Sequence, residues 1–145
     1  MKFISSSYCE KTGISTVTMQ HLGIKFVGTA KLHPDDKENV SHFEGCWLAE
    51  QRAIILALKY ERYMAKKKSD EAIDFLKSCK GYTGFDPNSS TAKAIYRQVN
   101  RRIKKVNDIT DKINECYKSI EKHQFNRKVV LNAIDMKKGV SKEDK

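Results

Sequence analysis

A chain of 145 residues suits one domain and is long enough to bury a real core. Apolar residues at 39% and charged residues at 32% describe a soluble, charge-rich protein, and no segment approaches the roughly 20 consecutive apolar residues of a membrane span. The net charge of +10 asks for an anionic partner, which can be nucleic acid, a phosphorylated small molecule or an acidic protein surface. The opening "MKFISSSYCEK" lacks the long apolar stretch of a secretory signal, so the cytosol is the expected compartment. Cys9, Cys46, Cys79 and Cys116 are scattered without a C-x-x-C pair, and are read as reduced packing residues; no metal site and no cofactor is expected.

The first third alternates like strand. "KFISSSYC", "ISTVTMQ" and "IKFVGTAKL" predict three antiparallel strands over about 2–32, with "EKTG" and "HLG" turning the chain between them. In the second run Ile14, Thr16 and Thr18 oppose Ser15, Val17 and Met19; in the third Ile24, Phe26, Gly28 and Ala30 share a face. Three short strands bury little alone, so a helix must cover their apolar side. Pro34 ends the strands, and Ser41 with Glu44 fits a capping box that starts a helix at about 42. That helix is expected to end near 68, and Ser69 with the acidic residues after it is expected to cap a second, over 70–80.

"GYTGFDPNSS" breaks the chain again, and a long helix is predicted over about 90–135. Ala92, Val99, Val106, Ile113 and Ile120 repeat every seven residues, with Ile95, Ile109 and Cys116 in the companion seam and Arg102 and His123 as its defects. Such a seam implies coiled-coil pairing with the first helix or with another copy of the chain. It is longer than a 25-residue partner helix covers, which favours at least a dimer. The fold class expected is therefore α+β: a small N-terminal antiparallel sheet packed on long helices in a helix-mediated homo-oligomer, one domain over 1–138 followed by a disordered tail at 139–145.

Catalysis lacks its parts, because no nucleophile elbow, zinc-binding helix, P-loop or dinucleotide fingerprint is present. "HPDD" groups His33, Asp35 and Asp36, but a proline turn whose aspartates bond nearby amides accounts for it. Binding has more support. Across 87–107 every charged side chain is cationic: Lys93, Arg97, Arg101, Arg102, Lys104 and Lys105. Arg97 and Arg101 are one helical turn apart and can grip one anion with planar forks that match phosphate oxygens. Tyr82 and Phe85 in the preceding loop offer rings for stacking on a base, and Asn88 and Ser90 offer polar hooks at a helix start. The plainer alternative makes Phe85 a core plug and the basic run a solvated face.

"EKTGIS", "GTAKLHPDD" and "GCWLAEQRA", with the long basic helix behind them, resemble small phage proteins of the Thoeris anti-defence family, of the first-described signal-sponge type. The likeness spans roughly residues 8–58 in motif order and the helical remainder more loosely. The resemblance implies a non-enzymatic protein that captures the cyclic ADP-ribose isomer made by bacterial TIR-domain enzymes, with some relatives also holding cyclic oligonucleotides in separate pockets. It also implies a pocket between helices of paired subunits that uses an aromatic ring, an asparagine and two arginines. The matching positions here are Phe85, Asn88, Arg97 and Arg101, with Tyr82 as the alternative ring and Arg52 as a further contact from the first helix. The expected function is thus sequestration of a cyclic nucleotide immune signal in the cytoplasm of an infected bacterial host, by a homodimer or higher homo-oligomer, with neither membrane nor nucleic acid as partner. The runner-up is a basic phage protein that binds nucleic acid or inhibits a CRISPR effector, whose charge would spread over a broad face. A structural coiled-coil adaptor would leave the arginine pair without a role.

Overall fold

The computed structural model describes residues 1–31 and 42–143, with side chains described over 1–31 and 44–124. It is an α+β fold in which β1 (Lys2–Cys9), β2 (Ile14–His21) and β3 (Ile24–Lys31) precede two long helices, α1 (His42–Lys80) and α2 (Ser90–Glu143). Internal contacts sort the chain into two compact units, Met1–Ile55 with Asn114–Lys145, and Leu56–Ile113, where one domain over 1–138 was expected. The proline turn with His33, Asp35 and Asp36, and the Ser41 half of the expected capping box, lie outside the described residues.

In the first unit the strands form an antiparallel meander in the order β1-β2-β3. The β2–β3 connection is two residues long, and Leu22 and Gly23 both take positive φ, 53° and 76°, as a primed hairpin turn requires. Glycine adopts this region freely. Leu22 does so against its side chain, at a cost of roughly 1–2 kcal/mol.

The two-residue period of β2 turns Ser15, Val17 and Met19 inward, where Val17, Met19 and Ala30 pack on Ala49 and Ala53 of α1. Leu48 and Ile54 close the sides of this cluster. Small residues dominate the contact because the helix lies unusually near the sheet. A Cβ added at Gly28 would sit 2.5 Å from the Ala53 nitrogen and closer still to the Ala49 carbonyl oxygen, so only glycine fits. β1 stays outside this packing: seven of its eight residues are exposed, and it pairs only with β2, with a register irregularity between Phe3 and Ser5. Farther along the helices, the His123 ring lies 4.6 Å from the Trp47 ring, tilted by 41°. The seam position that lacked an aliphatic residue is thus filled by an aromatic contact.

The second unit is a helical hairpin. On α1, Leu58, Ala65, Ser69 and Leu76 are buried, at spacings of seven, four and seven; on α2, Ala92, Val99, Ile109 and Ile113 are buried. These are the two seams of a coiled coil, and both are buried within one chain.

Three helix expectations are corrected here. The break at Ser69 does not occur, and the helices expected over 42–68 and 70–80 are one helix of 39 residues, because the heptad stripe continues through Ser69, whose small side chain is only 5% exposed in the seam. With 39 residues, about 58 Å, α1 is long enough to cover the Ala92–Ile120 seam, which removes the length argument for a second copy. α2 passes its expected end near 135 and remains helical through 139–143, where a disordered tail was expected; Gly139 alone weakens a helix by about 1 kcal/mol without stopping it.

Candidate ligand-binding site

The loop between the helices is built by hydrogen bonds that end one and start the other. Gly81 N–H donates to the Lys77 and Ser78 carbonyls at 3.2 Å, and Tyr82 N–H donates to Cys79 O at 3.2 Å, which closes α1. Asp86 then organises the next turn. Its carboxylate Oδ1 accepts the Asn88 N–H at 3.0 Å, and its carbonyl accepts the Ser89 N–H at 3.1 Å and the Ser89 hydroxyl at 2.8 Å. Ser89 is the N-cap of α2, since its Oγ accepts the Ala92 N–H at 3.1 Å.

This local wiring bears on the anion expected at the helix start. One of its donors already serves Ser89, and the Asp86 carboxylate is held on the Asn88 N–H just ahead of the cap, a negative charge that disfavours a second anion there. The helix start is therefore partly capped by its own residues. Cations farther along α2 remain the groups suited to an anion.

The predicted site residues divide into three sets. Tyr82 and Phe85 wall one cavity, of about 300 Å³, together with Cys79, Gly84, Asp86, Ser89, Thr91, Ala92 and Ile95. Phe85 is half-buried there and Tyr82 is 74% exposed. Asn88, Arg97 and Arg101 are exposed and line neither this cavity nor the groove below. At 100° per residue, positions 97 and 101 lie on the side of α2 turned away from Ile95 and Val99, so one chain does not gather the ring and the two forks into one pocket. Arg52 belongs to the other unit, and its Nη1 donates to the Thr29 carbonyl at 2.7 Å, which gives it a structural role on β3.

A second space opens between α1 and α2 in the hairpin unit. This groove, also about 300 Å³, is lined by Lys68, Glu71, Ala72 and Phe75 of α1 and by Ile95, Gln98, Val99 and Arg102 of α2. Ile95 borders both spaces. The expected site contained none of these residues, although Arg102 was visible as a defect in the seam. Nearby, Lys80 Nζ stands 5.3 Å from the centre of the Tyr96 ring, a cation–π contact between the two helices.

Other chemistry is thinly provided. Among the described residues no group of three His, Cys, Asp or Glu could hold a metal ion, and no helix is long and apolar enough to cross a membrane. All four cysteines are free. The Thr12 side chain, helped by backbone donors of Thr12 and Lys11, lowers the Cys9 thiol pKa, whereas burial raises that of Cys116. No protein-family model, curated protein or solved structure matches this chain.

Proposed function

We propose that this protein is a non-enzymatic sponge for a cyclic nucleotide immune signal, an ADP-ribose-derived ring in the first instance, acting in the cytoplasm of a phage-infected bacterium. The likeness to the Thoeris anti-defence family rests on the three sequence strings quoted above. The observation that carries the reading is the placement of charge. Residues 56–113 hold 14 Lys and Arg against 7 Asp and Glu, so +7 of the net +10 lies in the hairpin unit. Within it Arg97 and Arg101 stand exposed one turn apart, while Phe85 and Tyr82 wall a cavity of their own. Sequestration needs tight binding and no bond cleavage, and two arginine forks with one ring suit a compact diphosphate.

In this reading a second copy of the chain completes the site. Arg97 and Arg101 of one subunit meet the ring-bearing loop of the other, which is why a single chain separates them. The reading therefore requires at least a homodimer in solution.

Calorimetry with a cyclic ADP-ribose isomer tests the proposal. Arg97→Ala or Arg101→Ala should weaken binding by about 1.5–3 kcal/mol with little change in melting temperature, and Phe85→Ala should weaken it by about 1–3 kcal/mol. The ligand should be recovered intact after incubation. Wild-type affinity in all three variants sinks the site, and a ligand that is consumed sinks the non-enzymatic reading. The runner-up wins if the variants instead lose duplex DNA or RNA in proportion to the charge removed, with a steep salt dependence.

A further inference from the structure

Arg102 occupies the seam position at which Ile95, Ile109 and Cys116 recur. A guanidinium there interrupts apolar packing, and it is half-buried on the wall of the interhelical groove. Among the described residues neither Arg102 nor Lys68 makes a hydrogen bond or ion pair, although Glu71 lines the same groove. A partly desolvated cation without a partner is unfavourable unless an anion joins it. The other lining groups are also specific in kind. Phe75 is 59% exposed at the rim, with its ring available to a ligand, and Glu71 and Gln98 provide acceptors where a purely anion-binding groove would have none.

We propose that this groove is a binding site for a purine nucleoside monophosphate. Lys68 and Arg102 hold the phosphate, with the arginine fork matching two of its oxygens. Phe75 stacks on the base, and Glu71 with Gln98 accepts from the N–H donors on the base edge, as guanine presents them to a carboxylate. A volume of about 300 Å³ lies at the small end of ligand pockets and suits one nucleotide rather than an oligomer. The site lies within one chain and uses neither Arg97 nor Arg101, so it stands or falls separately from the cyclic-nucleotide reading.

Titration of the full chain with guanosine monophosphate and, separately, with inorganic phosphate provides the test. Arg102→Gln should lower nucleotide affinity about tenfold or more, and Phe75→Leu about fivefold or more. Glu71→Gln should weaken the nucleotide but not phosphate. Phe75 is exposed at the groove rim, so its variant keeps the test alive if Arg102→Gln disturbs the helix pair. The proposal is overturned if the nucleotide binds both groove variants as it binds wild type, if phosphate alone binds as tightly as the nucleotide, or if the nucleotide shows no saturable binding.

Discussion

The sheet-bearing unit and the hairpin unit are built on the same two helices but bury them differently. Where α1 crosses the sheet, the contact consists of Gly28, Ala30, Ala49 and Ala53 around Val17 and Met19, and the backbones approach so closely that a single added Cβ has no room. In the hairpin the buried seam mixes Leu58, Leu76, Val99, Ile109 and Ile113 with small residues, and it admits Ser69, while Arg102 stands half-buried beside it. Close approach leaves no space for a ligand. A groove lies instead beside the polar defect of the hairpin seam, where packing is least regular.

The largest way to break the contrast is at its tightest point. Gly28→Val drives a branched side chain into the backbone of α1, which cannot yield as a side-chain tip would, and should destabilise the first unit by about 3 kcal/mol or more. Thermal unfolding followed by circular dichroism would show it as a large fall in melting temperature or as loss of the sheet signal. A variant that melts like wild type would mean that the helix stands farther from the sheet.

Arg102→Leu runs the other way, making the hairpin seam as regular as an uninterrupted coiled coil. Leucine restores the aliphatic repeat and removes an unpaired half-buried charge, so stability should rise by roughly 0.5–2 kcal/mol, read as a higher denaturation midpoint. Guanosine monophosphate binding should fall in the same protein. Unchanged or reduced stability would show that the guanidinium is better accommodated than its position in the seam implies.

Ser89→Ala is the mildest of the three. It removes the acceptor for the Ala92 N–H while leaving the Asp86 turn partly in place, and should cost about 1 kcal/mol. Amide exchange is the suitable measurement, because the effect should concentrate in the first turn of α2. Protection lost evenly along α2 would contradict a local cap.

Much of the fold was legible before any coordinates. The alternation of β2 set Ile14, Thr16 and Thr18 against Ser15, Val17 and Met19 without choosing between them, and the structure turns the second set inward; the turn around Gly23 was marked by glycine. The expected break at Ser69 misled because a serine followed by acidic residues is a good cap signal locally, yet local propensity yields when a seven-residue stripe continues across it. The candidate binding residues were legible in type more than in place. Sequence spacing put Arg97 and Arg101 on one face of a helix, and their exposure agrees with that, but it carried no information on whether Phe85 lay within reach of them.

The sequence by itself determined the strand and helix types, the two alternating faces of β2, the seven-residue seam and the concentration of cations on α2. Each of these is set by spacing along the chain, through periods of two and of about 3.6 residues, and spacing is what a sequence records. The tertiary structure alone decided that α1 runs unbroken, that Arg52 spends its guanidinium on Thr29, and that Lys68, Phe75, Gln98 and Arg102 converge on one groove. These last four are separated by as many as 34 positions, from 68 to 102, and they meet because the Gly81–Ser89 turn folds α2 back along α1. Which residues then face each other depends on the register of two packed helices, which is fixed by side-chain fit across the seam and not by the pattern on either helix.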